Sequence, residues 1–299
     1  MICEELEGLK HKMEEYKITE YRAYATSAVR EADNMDLVLD VIEHTTGIRV
    51  QVLSNSEQRY ISFKGLVAKY SDFHQVVSKN TAFVDVGAGS VQISLFDKDA
   101  LVTTQNIRMG SLRVRERLAG IQSETEHYEE MVEELIWNEV SSFKKMYLKD
   151  RKIENIMLIG DVFTDSVYQN IEEKTTKIIS RENFNTWYEK IIRQSPMELA
   201  VKLGIPLENA SLMYPSAVIY KCLIDMMEAE HVWIPGVHMT RGIAYEYAEQ
   251  MKLQKGSHNF ENDILMAAKN IGKRYAVNRP HVQNLEMTAL AMFDATKKM

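Results

Sequence analysis

Residues 82–95 read AFVDVGAGSVQISL, and this stretch decides how the rest of the chain is read. A β-type run, Ala82-Phe83-Val84, ends in an acid, Asp85. A Gly87-Ala88-Gly89-Ser90 turn and a second β-type run follow. Glycines at that place let two strands fold back tightly. A turn of this composition also exposes backbone N–H groups to an anion without side chains in the way. Asp85 would then stand beside a bound phosphate, where a metal or an attacking water belongs. The same residues also fit an ordinary glycine hairpin with a solvated Asp, because short Gly motifs match by chance.

Working outward, the meander continues. Residues 81–86, 91–97 and 100–107 read as three consecutive strands, with Asp97-Lys98-Asp99 as a turn. Before them the order is helix (2–15), strand (20–26), helix (27–46, with Val38, Val41 and Ile42 facing inward), strand (48–53) and helix (through Lys69). Gly47 is the expected stop of the second helix, and Ser54 to Glu57 supply N-cap chemistry for the third. After the meander, 110–118 start a helix. Ser123 to Glu126 fit a capping box for a helix to about Leu148, with an apolar stripe of Val132, Leu135, Ile136, Val140, Phe143 and Met146. Residues 153–159 predict a buried strand, and a further strand lies near 231–234 in an otherwise helical remainder. Strands and helices in this order predict an α/β protein.

Composition narrows the function. The 299 residues suffice for one large or two modest domains. The formal net charge of -7 and the absence of a Lys/Arg block argue against a nucleic-acid partner. Cys3 and Cys222 give neither a disulfide framework nor zinc spacing, so reduced thiols and a cytoplasmic location are expected. No apolar run approaches a membrane span, and the charged first 20 residues do not read as a signal peptide.

Four segments in order carry a resemblance to a known family: AYATSAVREADN (23–34), VLSNSEQRYISFKGL (52–66), VDVGAGSVQ (84–92) and IRMGSLRVRERL (107–118). They resemble the exopolyphosphatase / guanosine pentaphosphate phosphohydrolase family of the actin-like phosphotransferase fold. The resemblance implies two ribonuclease H-like lobes around a phosphate-binding cleft. The first lobe, 1–76, would be incomplete, without its own meander and phosphate loop. The second would span 77–257, and 258–299 would open a helical HD-like domain in which His281 matches the pattern. The chain thus reads as an internal piece of a longer protein.

By the same resemblance Arg30 contacts substrate phosphate, as do Gly87, Ala88, Gly89 and Ser90. Asp85 and residue 92 hold Mg²⁺, and an acid at position 58 acts as general base. The alternative for Arg30 is a surface arginine paired with Glu31 or Asp33. Two places depart from the pattern: Gln58 and Gln92 stand where acids are usual. An amide cannot accept a proton near neutral pH. Glu57, the neighbour, points about 100° away on a helix. Gln92 could offer Mg²⁺ only a neutral carbonyl. Residues 158–165 (LIGDVFTD) read either as a Gly-rich phosphate segment or as a strand end turning into a helix, with Asp161 and Asp165 repelling a polyanion. Residues 239–246 (MTRGIAYE) resemble a turn with a backbone role for Gly242. Two functions are thus expected: a phosphoanhydride hydrolase acting on inorganic polyphosphate or guanosine polyphosphate with Mg²⁺, or a non-catalytic relative that binds such anions or scaffolds a partner. A homodimer is compatible with either.

Overall fold

The computed structural model of the chain describes residues 2–70, 73–98, 100–119, 128–160, 162–170, 178–254 and 258–297. The chain begins with α1 (Ile2–Glu15), β1 (Ala23–Ala25), α2 (Ser27–Arg30), α3 (Met35–Thr46), β2 (Val50–Val52), α4 (Asn55–Lys69) and α5 (Phe73–Val77). Strands β1 and β2 pair in parallel, Tyr24 opposite Gln51. They are shorter than the sequence predicts.

The helix expected over 27–46 is two helices. Backbone bonds from Glu31 to Ser27 and from Ala32 to Val29 close a turn, and residues 31–34 leave the helix. Asp33 and Asn34 favour such breaks because their side chains compete for backbone partners. Thr26 occupies the N-cap position of α2 but makes no side-chain cap. Of the three residues expected to face inward, Ile42 is buried, whereas Val41 is 46% exposed. Gly47 ends α3 in the left-handed conformation, its N–H donating to the Glu43 carbonyl. Ser54 caps α4 as expected, in a capping box with Glu57.

The central sheet has six strands: β3 (Thr81–Val86), β4 (Val91–Asp97), β5 (Ala100–Ile107), β6 (Asn155–Ile159), β7 (Ile178–Ser180) and β8 (His231–Trp233), in the order β5-β4-β3-β6-β8-β7. The antiparallel meander β3-β4-β5 continues through parallel β6 and β8, and β7 closes the edge antiparallel. β7, three residues long, lies in a stretch that the sequence reads as helical, so it has no counterpart among the predicted strands. Around the sheet lie α6 (Ser111–Leu118), α7 (Tyr128–Phe143) with a π-helical turn over Lys144–Leu148, α8 (Val162–Asn170), α9 (Arg181–Ile192), α10 (Pro196–Leu203), α11 (Leu207–Met227), α12 (Met239–Gln250), α13 (Phe260–Arg274) and α14 (Arg279–Thr296). The capping box expected at 123–126 lies outside the described residues. The stripe of α7 packs as expected through Val132, Ile136, Val140 and Phe143, but Met146, in the π turn, is exposed.

Strand alternation assigns the two faces of the sheet. Ala82, Val84 and Val86 of β3 and Val91, Ile93 and Leu95 of β4 join one core with Phe163, Ala217, Tyr220 and Leu223. Phe83 and Phe96 point the other way and join Phe63, Leu66 and Val67 of α4, with Val237, Tyr245 and Phe260. Thus α4, which follows β2 in sequence, covers the six-stranded sheet. Asp85, Gln92 and Ser94 share the face of Phe83, so they point toward α4.

Residues 239–246 are not a turn but the first part of α12, which crosses α4 at closest range where Gly65 meets Gly242. Beside the crossing, Lys64 is buried between Glu246 and Glu249 of α12. α13 lies on β5, with Asn270 Nδ2 donating to the Leu101 carbonyl. α14 has no buried residue, and His281 sits exposed in its first turn. Among the described residues, no helix is long and apolar enough to cross a membrane.

Candidate phosphate-binding cleft

The glycine turn is held from behind. Gly87 N–H donates to the Ser90 carbonyl at 2.9 Å. The Gly87 carbonyl accepts from Ser111 N–H at 3.1 Å, and the Ala88 carbonyl from Leu112 and Arg113 N–H at 3.1 and 3.3 Å. The loop therefore caps α6 with its own carbonyls, which satisfies amides a helix start leaves open. A peptide whose carbonyl faces one way presents its N–H to the other. Among the described residues, no acceptor takes the amides of Ala88, Gly89 or Ser90. Ala88 has no positive φ, which explains why alanine is tolerated there. Gly110, at the N-cap of α6, allows the close approach: a Cβ there would lie 2.2 Å from the Ala88 oxygen.

The opposite wall is α2. A Cβ on Gly89 would lie 2.7 Å from Ser27 Oγ, so the start of α2 touches the tip of the loop. Glu31, just beyond α2, accepts from Arg108 and Arg113, each at 2.7 Å. Arg113 also donates from Nε to the Gly89 carbonyl at 2.9 Å. The hydrogen bond from Arg108 holds the Glu31 carboxyl below its ordinary pKa; burial opposes this, and Arg113 adds to it. One side chain thus ties the two walls together. Arg30 is paired with neither Glu31 nor Asp33. Its guanidinium donates to the Leu53 carbonyl and to Asn55 Oδ1, both at 2.5 Å, fixing α2 to the start of α4.

The floor comes from β3, β4 and α4. Asp85 Oδ2 accepts from Ser62 Oγ at 3.2 Å. Gly160 takes φ +86°, and a Cβ there would lie 2.9 Å from Asp85 Oδ1, so a glycine at the end of β6 leaves the carboxylate its space. Gln92 is paired in register with Asp85. It is 3% exposed, and neither Oε1 nor Nε2 has a hydrogen-bond partner. Gln58, one turn before Ser62 and so on the same side of α4, also has a buried Oε1 without a partner. Glu57 is committed elsewhere: it accepts from Ser54 N–H at 2.8 Å in the exposed capping box. That bond, with the Ser54 hydroxyl, lowers its pKa. Asp165 lies 3.0 Å from His238 Nε2, and burial raises its pKa. Asp161 lies outside the described residues.

Mg²⁺ favours an octahedral shell of oxygens that includes carboxylates. Among the described residues, no three His, Cys, Asp or Glu side chains gather to hold a metal ion. Asp85 is the one described carboxylate lining the floor cavity, the residue across from it is an amide, and Arg59 lines the same cavity. Among the described residues, the cavity thus offers a magnesium ion one carboxylate, a neutral amide and a guanidinium that repels it.

The structure brings together the loop, Asp85, Gln58 and Gln92, which the sequence singles out. The places of Glu31, Arg59, Ser62 and Arg113 beside them were not legible, since single polar residues on helices carry no pattern. Arg113 had the best signal, lying in the Gly110-Ser111-Leu112-Arg113 segment.

The chain is an α/β protein in which a glycine turn on the six-stranded sheet faces the start of a helix from outside that sheet. It belongs to the Ppx/GppA phosphatase family, whose pattern it matches over residues 2–251. It is similar in structure to an exopolyphosphatase from Cytophaga hutchinsonii, with TM-score 0.70 and 17% identity over 83% of this chain and 81% of that one. It is also similar to the Aquifex aeolicus Ppx/GppA family member, with TM-score 0.61 and 16% identity over 85% and 81%. These likenesses concern the fold. A bifunctional 3-dehydroquinate synthase/phosphatase of Fusobacterium nucleatum is 26% identical over 172 residues, 55% of this chain and 24% of that protein. The chain thus matches about a quarter of the length of this curated relative.

Proposed function

We propose that the chain grips the terminal phosphates of inorganic polyphosphate or a guanosine polyphosphate on the amide face of the 87–90 loop, beside the start of α2, and hydrolyses the end anhydride only slowly. The observation that carries this reading is the set of three unclaimed amides at Ala88, Gly89 and Ser90, opposite the start of α2. Backbone N–H groups so arranged bind phosphate oxygens and stabilise the charge that builds up in phosphoryl transfer. In-line attack by water on the terminal phosphorus releases phosphate, and the water must lose a proton as it attacks. Gln58 stands at the place of the expected base, and its amide cannot take that proton. The two amides at 58 and 92 also support a second reading, a relative that binds the anion without turning it over. With both described cysteines free, a reducing, cytoplasmic setting is part of the proposal.

The test is phosphate release from long-chain polyphosphate and from guanosine pentaphosphate. Gln58→Glu is expected to raise the rate by about 10²-fold or more, the usual contribution of a positioned base. Fast turnover by the unmodified chain, not improved by the substitution, would contradict the assignment of position 58. Tight binding with no release from either protein would favour the second reading.

A further inference from the structure

One charge at the cleft floor is unaccounted for. Arg59 follows Gln58 on α4 and is half-buried. Its single hydrogen-bond partner among the described residues is Ser56 Oγ, at 3.3 Å, and no carboxylate lies within ion-pair distance. Burial pushes its guanidinium pKa below the ordinary value. The Asp85 carboxylate lines the same cavity, but Arg59 makes no ion pair with it; a half-buried cation without a paired counter-charge is destabilising, so an anion reaching Arg59 would stabilise it. The cavity that Arg59 shares with Ser62, Asp85, Gln92 and Ser94 measures about 10 Å³, at the lower limit for one water. A second, independent observation points into the same space: Gln92 is 3% exposed, and both of its amide atoms lack a partner.

We propose that Arg59 is a phosphate-binding residue that supplies, from the protein itself, the positive charge a divalent cation would otherwise bring to this site. The inference rests on the reading of the cleft as a phosphate-chain site. The charges at the floor agree with it. A carboxylate at 92 would, with Asp85, attract a metal; an amide there does not, and a fixed guanidinium nearby repels one. A guanidinium also offers a planar fork matched to two phosphate oxygens. The Gln92 amide, unlike an ionised Glu, places no negative charge behind that guanidinium. The amide at 92 and the cation at 59 thus act in the same direction, toward phosphate binding that does not need metal.

The test is calorimetric titration of the full chain with inorganic tripolyphosphate, in EDTA and in magnesium. The native protein is expected to bind in EDTA within about threefold of its affinity in magnesium. Arg59→Ala is expected to weaken binding in EDTA at least tenfold, the usual scale of a hydrogen bond to a charged group, with Arg59→Lys in between. Its thermal midpoint should not fall, because an unpaired cation has been removed. Arg59→Ala combined with Gln92→Glu should bind in magnesium and not in EDTA. Native binding that requires magnesium, or unchanged affinity of Arg59→Ala in EDTA, would overturn this inference and leave the phosphate-cleft reading standing. No native binding under either condition would sink the cleft reading itself.

Discussion

Gly110→Ala is expected to weaken phosphate-chain binding at least tenfold. The added methyl would sit 2.2 Å from the Ala88 oxygen, 2.3 Å from the Ala88 carbonyl carbon and 2.4 Å from the Gly87 oxygen. All three are backbone atoms, so no side chain can swing aside. Those same carbonyls accept from Ser111, Leu112 and Arg113. The methyl therefore either pushes the loop forward into the cleft or lifts it off α6. In both cases the three free amides leave their common direction. Losing one charge-assisted hydrogen bond costs about 1.5–3 kcal/mol, and a tenfold loss corresponds to about 1.4 kcal/mol. Titration with tripolyphosphate measures the effect, and circular dichroism checks that the fold persists. Native affinity in this variant would mean that the loop does not bind the anion.

The largest effect on stability is expected from Gly242→Ala. Helix propensity alone favours alanine by about 1 kcal/mol. Packing decides the sign the other way, because the new Cβ would lie 1.8 Å from the Ile61 carbonyl oxygen and 2.7 Å from its carbon. Gly65 is equally confined, its own Cβ position 2.9 Å from Val237 and 3.2 Å from the Gly242 nitrogen. The crossing of α4 and α12 is a backbone-to-backbone contact, and a methyl group must force the helices apart. That would also loosen Lys64 from Glu246 and Glu249 and shift Ser62, Arg59 and Gln58, which line the cleft. Overpacking typically costs about 1–3 kcal/mol; with backbone atoms on both sides the upper end applies, equivalent to a fall in melting temperature of roughly 6–12 °C for a chain of this size. A melting temperature within a degree of the native value would show that the crossing is not rigid.

The parts of the fold that were legible in the sequence are those with a period or a punctuation mark. Alternation gave β3, β4 and β5, and Gly87 to Ser90 marked the turn between the first two. Ser54 and Glu57 announced the start of α4, and Gly47 the end of α3. What could not be read was which surface an element covers. The helical pattern of 55–69 says nothing about the sheet it lies on, yet its place against Phe83 and Phe96 puts Gln58 and Ser62 beside Asp85. The break at 31–34 was equally hidden, because Glu31 gains its value only from Arg108 and Arg113, some 80 residues later. The Arg30 fork was legible as chemistry but not as geometry, its partners being Leu53 and Asn55. The sequence reads Gly242 as part of a turn and Gly110 as a helix start, whereas close backbone approach, not φ, is what requires both glycines.

The claim on which the rest depends is that the amides of residues 88–90 face a bound phosphate chain. Titrating ¹⁵N-labelled protein with tripolyphosphate while following backbone amide resonances tests it most directly. The largest shifts are expected at Ala88, Gly89 and Ser90, with smaller ones at Ser27 and across the start of α2. Saturable binding that leaves those three resonances unmoved while shifting others would contradict it.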